Sequence, residues 1–77
     1  MSMGHDLSED LRGLCCAEPI IRINNAIKTM QRGQVLLIVS DKISMLKDVA
    51  AFCRQTGNTL LQQTEKDGVL EFWIRRG

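Results

Sequence analysis

Five apolar residues run without a break from Val35 to Val39, reading VLLIV, and the chain keeps a different rhythm on either side of them. A β-branched and leucine run of this density reads as a central strand roofed by helices, and it is far too short to cross a bilayer. Upstream, Ile20, Ile23, Ile27 and Met30 recur at spacings of three and four, with Ala26 widening the stripe. This predicts an amphipathic helix over 17–30. Pro19 is tolerated there because the first turn has no intrahelical partner for its missing N–H. Arg32 and Gly33 supply a basic end and a glycine stop. Downstream, Met45, Leu46, Val49, Phe52 and Cys53 form a second helical stripe, capped by Ser44, running to about Thr56 and stopped by Gly57-Asn58.

The period then shifts to that of strands. Residues 59–64 predict one strand and 69–75 another, joined by Lys66-Asp67-Gly68 with Asp-Gly at the centre of a hairpin turn. Leu70, Phe72 and Ile74 share one side of the last strand and Trp73 takes the other. Before the first helix, 5–11 is expected to hold a short strand anchored by Leu7 and Leu11, although Ser8, Glu9 and Asp10 are poor strand formers. The order β-α-β-α-β-β predicts a two-layer α/β (α+β) sandwich, with two helices on one face of a four-stranded mixed sheet. It is read as one domain over 1–77, with 1–4 as a frayed start. The other sheet face is expected to be partly open, with Trp73 half-exposed on it, either a binding hot spot or a lid.

Composition changes this picture little. A hydrophobic share of 44% suits a globular domain and is too high for a disordered chain. Ten basic against nine acidic residues leave a formal charge of +1, which gives no general pull toward nucleic acid or an anionic membrane. No charged segment followed by an apolar one opens the sequence, so the expected location is the cytoplasm.

The candidate chemistry lies in the cysteines. Cys15 and Cys16 are neighbours in GLCCAEPII, Gly13 to Ile21. A trans peptide holds consecutive Cα atoms about 3.8 Å apart, closer than the roughly 4.4–6.8 Å a disulfide prefers, so a bond between them would be strained. With no CxxC and only His5 as a histidine, a zinc site has too few ligands, and no metal is expected. Free thiols in a reducing compartment are the simplest reading. A helix beginning near Ala17 puts Cys16 at or next to its N-cap, where unpaired N–H groups and the helix dipole favour thiolate over thiol. Cys53 falls in an apolar stripe and reads as core. Glu18 beside a thiolate raises its pKa by repulsion, so Glu18 is not there to activate it. Arg22, one turn past Glu18, is placed for an i,i+4 surface contact with it.

The stretch Asp10 to Ile21, DLRGLCCAEPII, resembles the signature of the TusA family, also called SirA-like. That signature is a leucine-bearing strand followed by Gly-Leu-x-Cys-Pro-x-Pro at the start of the first helix. The resemblance continues through Gly33 to Val39, Lys47-Asp48-Val49 and Phe52-Cys53, and ends in the Asp-Gly hairpin and Ile74-Arg75-Arg76. Ala17 departs from it by replacing the first proline. Lys42-Ile43 stands where several members have Asp-Pro, which alters a loop facing partners. The resemblance implies the same two-layer sandwich and a small monomeric sulfur carrier, a sulfurtransferase-type half-reaction rather than a stand-alone enzyme. Cys16 would accept sulfane sulfur as a persulfide, with no cofactor beyond that covalent sulfur. Cys15, Glu18 and Pro19 would be auxiliary, and Glu18, Arg22, Asp41, Lys42 and Lys47 would meet partners. The donor would be a cysteine desulfurase, rhodanese or DsrE-like protein, and the sulfur would pass to an acceptor protein in a relay such as tRNA thiolation. No direct contact with nucleic acid or membrane is implied. Two other classes fit the same pattern: a non-catalytic RNA- or protein-binding module, resembling the C-terminal domain of translation initiation factor three, and a thiol redox sensor.

Overall fold

The computed structural model describes residues 4–14 and 17–77. Its elements are β1 (Leu7–Asp10), α1 (Glu18–Lys28), β2 (Val35–Ser40), α2 (Met45–Thr56), β3 (Thr59–Lys66) and β4 (Val69–Arg75). The four-stranded sheet has the order β1-β2-β4-β3, with β1 parallel to β2 and β4 antiparallel to both its neighbours. The architecture is therefore the mixed-sheet α+β sandwich that the hydrophobic pattern predicts.

Strand pleating sorts the residues by face. Leu36 and Ile38 of β2 stand in register with Ile74 and Phe72 of β4, and all four are fully buried. From above, α1 brings Ile23, Ala26 and Ile27, and α2 brings Met45, Val49, Phe52 and Cys53. A fully buried side chain such as Ile23 contributes about 1.5–3 kcal/mol through removal from water, and its truncation to alanine costs about 2–5 kcal/mol. The β3–β4 turn is the short hairpin that Asp-Gly predicts: Asp67 (φ 54°) and Gly68 (φ 79°) are both left-handed, and Lys66 pairs with Val69. The helical end of the sheet is tied off by Arg76, whose guanidinium donates to the Met30 carbonyl. Its backbone exchanges bonds with Gly33 (2.9 Å) and Gln34 (3.0 Å).

Several boundaries differ from the sequence expectation, each for a local reason. β1 is confined to Leu7–Asp10, the residues in register with Leu36–Val39, and Leu11 leaves the strand to become fully buried. Pairing to β2 overrides the weak propensity of Ser8, Glu9 and Asp10. α1 begins at Glu18, so Ala17 (φ −85°, ψ −7°) is its N-cap rather than its first residue, and Pro19 is the second. The helix ends at Lys28, short of Met30. The Thr29 N–H bonds Ala26 O, three residues back, and its hydroxyl donates to the same carbonyl at 2.7 Å, tightening the last turn. Gly33 (φ 86°) serves the turn into β2 instead of the helix stop. Ser44 stands at the N-cap of α2 but makes no capping bond with its side chain. β3 extends to Lys66 and carries a bulge between Leu60 and Gln62.

Trp73 corrects the reading of the open face. It lies opposite the helices, as its parity requires, but only 6% of it is exposed. Leu37 and Gln62 flank it in register on either side. A broad ring laid between two neighbouring strands is covered by the stems beside it, so Trp73 is no exposed hot spot. Its indole Nε1 is enclosed without a hydrogen-bond partner among the described residues.

Candidate functional site

The two parallel strands fix where the site stands. β1 and β2 run side by side in one direction, and each is followed by a helix. The loops after both strands, and the N-termini of both helices, therefore gather at one end of the sandwich. The loop after β1 leads to Cys15 and Cys16. Those two residues lie outside the described part of the structure, and the expectations attached to them rest on the sequence alone.

The approach to them is braced at four points. The Leu11 N–H donates to Val39 O at 2.7 Å, continuing the parallel ladder one step past β1. Asp10 then turns its carboxylate on Arg12. Oδ1 accepts from the Arg12 backbone N–H (3.1 Å) and Nε (3.0 Å), and Oδ2 accepts from Nη2 (2.8 Å). These Arg12 donors hold the Asp10 carboxyl down at about 2, and the guanidinium pKa is raised in return. Gly13 follows at φ 84°, a left-handed turn that side-chain-bearing residues avoid. Its N–H donates to Asp41 Oδ1 at 3.4 Å. The Leu14 N–H closes the turn onto Leu11 O at 3.3 Å, and Leu14 packs against the core.

Beyond the undescribed pair the chain enters α1 at its N-cap, Ala17, which offers no side-chain acceptor to the first turn. The Ile21 N–H is taken by Ala17 O at 3.2 Å, and Pro19 has no N–H. Among the described residues, the first-turn amides without a hydrogen-bond partner are thus those of Glu18 and Ile20. Together with the positive end of the helix dipole they make this helix start a place that favours negative charge.

The sequence-predicted partner residues divide on inspection. Glu18 is exposed at the first position of α1, and Pro19 beside it is buried. Asp41, expected on a partner surface, is exposed in the loop after β2 and also braces Gly13 through Oδ1. The same Oδ1 lies 4.0 Å from Lys42 Nζ. Lys42 and Lys47 are exposed at this end. Arg22 does not close on Glu18; its Nε lies 3.6 Å from Glu9 Oε1 on the neighbouring strand. Glu9 points to the helix side because it shares the parity of Leu7, and this draws Arg22 toward the sheet. Cys53 is 4% exposed, and burial pushes its thiol up to about 11, so it is inert at neutral pH. The Asp10–Arg12 clamp was not foreseen as part of the site. Its signal is an acid two residues before an arginine and three before a left-handed glycine.

Comparison with known proteins places these features in company. The family model for Sulfurtransferase TusA matches residues 9–76. The sulfur carrier protein TusA of Allochromatium vinosum is 37% identical over 71 residues, 92% of this chain and 93% of that protein. The sulfur carrier protein TusA of Buchnera aphidicola is 36% identical over 67 residues, 87% of this chain and 85% of that protein. The crystal structure of a SirA-like protein from Desulfitobacterium hafniense matches with a TM-score of 0.83 at 26% identity, covering 94% of this chain and 99% of that one.

Proposed function

Because the chain belongs to the TusA sulfurtransferase family, we propose that it is a sulfur carrier whose cargo is a persulfide on Cys16. In the first half-reaction the Cys16 thiolate attacks the outer sulfur of a donor persulfide. The donor's S–S bond breaks, the donor leaves as a thiolate, and Cys16 holds the sulfane sulfur. In the second, an acceptor thiolate attacks that outer sulfur and Cys16 leaves as a thiolate. One S–S bond forms and one breaks in each step, so no external oxidant or reductant is consumed.

The observation that carries this reading is the braced approach to an uncapped helix N-terminus. The Asp10–Arg12 clamp, the left-handed Gly13 and its bond to Asp41 deliver the chain to the start of α1. There the Glu18 and Ile20 amides are available to steady negative charge on sulfur. A thiol with a depressed pKa is both a better-populated nucleophile and a better leaving group, which a carrier needs in alternate steps. Cys15, one residue earlier, is an auxiliary thiol in this scheme. The donor is a protein of the cysteine desulfurase, rhodanese or DsrE-like kind, and the acceptor is a second protein. The carrier works as a monomer in the cytoplasm, within a relay that ends in a product such as thiolated tRNA. Among the described residues no helix is long and apolar enough to cross a membrane.

Intact mass tests the scheme. After incubation with inorganic polysulfide the protein gains about 32 Da, the gain is removed by dithiothreitol, and it is retained in Cys15→Ser but absent in Cys16→Ser. No gain, or a gain that survives in Cys16→Ser, overturns it.

A further inference from the structure

Single apolar side chains scattered over a surface are ordinary, whereas apolar side chains gathered at one place mark a contact. Among the described residues two large aliphatic side chains stand well exposed, Ile21 at 54% and Ile43 at 65%. They are not scattered. Ile21 closes the first turn of α1, and Ile43 lies two residues before α2. Both helices start at the end of the sandwich where the loops after β1 and β2 emerge. The Gly13–Asp41 bond fastens the segment carrying Ile43 to the segment leading to Cys16. Ile21 is also no displaced core residue. At about 100° per residue it falls on the face of α1 opposite Pro19, Ile23 and Ala26, which are buried.

We propose that Ile21 and Ile43 are the apolar anchors on which this carrier's protein partners dock, and that they fit an apolar depression beside the partner's own reactive cysteine. The inference rests on the sulfur-carrier reading and adds which residues select the partner. Charge argues for an apolar partner surface over a charged one. The charged groups at this end are of both signs: Arg12 pairs with Asp10 at 2.8 Å, Arg22 lies 3.6 Å from Glu9 and Lys42 lies 4.0 Å from Asp41, and Glu18, Lys47 and Asp48, exposed beside them, are mixed in sign. A strongly charged partner would have to compete with these pairs. An apolar one gains by covering the isoleucines and leaves the pairs as a polar rim. Sulfur transfer needs the two cysteines in contact, so a partner that reaches Cys16 must cover this end.

The test compares two routes of loading, read by intact mass over time. Inorganic polysulfide loads Cys16 without docking; cysteine desulfurase supplied with cysteine, and rhodanese supplied with thiosulfate, load it only after docking. Ile21→Asn and Ile43→Asn, which remove the apolar contact without adding charge, are expected to load from polysulfide at the parent rate and from a protein donor at least about tenfold more slowly, with Ile43→Leu close to parent. Raising salt from about 0.05 to about 0.5 M is expected to change protein-donor loading of the parent by less than about twofold, since the contact is apolar. Parent-rate loading of both asparagine variants by a protein donor overturns the inference. So does a parent that polysulfide loads and neither protein loads. If polysulfide leaves no sulfur on Cys16 of the parent, the carrier reading itself falls.

Discussion

Gly13→Ala isolates one element of the brace. The glycine holds φ 84°, and a Cβ built on it meets no atom of the described residues within 4 Å, so the substitution introduces backbone strain and no clash with them. Keeping an L-residue in the left-handed region costs about 1–2 kcal/mol. Alanine also restricts the unfolded chain, which offsets roughly 0.4–1 kcal/mol of that cost. The net loss is therefore roughly 1 kcal/mol, which in a domain of this size lowers Tm by about 4–8 °C. Thermal unfolding followed by circular dichroism reads it directly. Gly13→Asn is the matched comparison: asparagine tolerates the left-handed region better, so its loss is expected to be smaller than alanine's. A Tm for Gly13→Ala within about 1 °C of the parent, or an asparagine variant less stable than the alanine one, would refute the claim that this turn needs a left-handed residue.

Asp10 is expected to titrate near 2 by side-chain carboxyl NMR, because Arg12 donates to it from side chain and backbone. Its folded pKa is depressed, so the clamp contributes fully above the ordinary value of 3.8 and is lost as pH falls through about 2. A midpoint at the ordinary value, or one unmoved by Arg12→Leu, would exclude the clamp in solution. Trp73 is the chain's one tryptophan, so fluorescence reports it alone. Native emission is expected to be blue-shifted and weakly quenched by acrylamide, and emission like that of free tryptophan would restore the exposed hot-spot reading.

Burial leaves its mark on sequence, and the parts of this fold that were legible are those where burial is periodic. The stripes Ile23-Ala26-Ile27 and Met45-Val49-Phe52-Cys53 announce α1 and α2, and the apolar run of β2 announces a strand with neighbours on both edges. Asp67-Gly68 announces its own turn. What was not legible depends on partners distant in sequence. β1 exists by pairing with β2, and its composition argues against it. Trp73 is enclosed by residues from two other strands, which its parity alone does not reveal. Asp41 reads as one more surface acid until the fold sets it beside Gly13, 28 residues earlier. Ile21 and Ile43 were legible only singly: the helical period sets Ile21 off the stripe of α1 and Ile43 stands in a loop, but that both lie at one end of the sandwich follows from the parallel pairing of β1 with β2. The reading of the thiols rests on sequence alone, since Cys15 and Cys16 lie outside the described residues.

The sheet is centred on β4, residues 69–75, which alone pairs with both β2 and β3. The strand that joins the two halves of the sheet is thus the last of the four to be synthesised. A nascent chain that has passed Cys16, α1, β2 and α2 still lacks the partner that joins β2 to the rest. Its apolar strand edge stays open, with only the four-residue β1 to cover the other side. Such a chain has no stable half-fold to occupy, so folding waits for completion and then proceeds as one cooperative event. The helix N-terminus that follows Cys15 and Cys16 in sequence is organised only once β4 has joined the sheet, and a product truncated before β4 carries that segment on an unfolded chain.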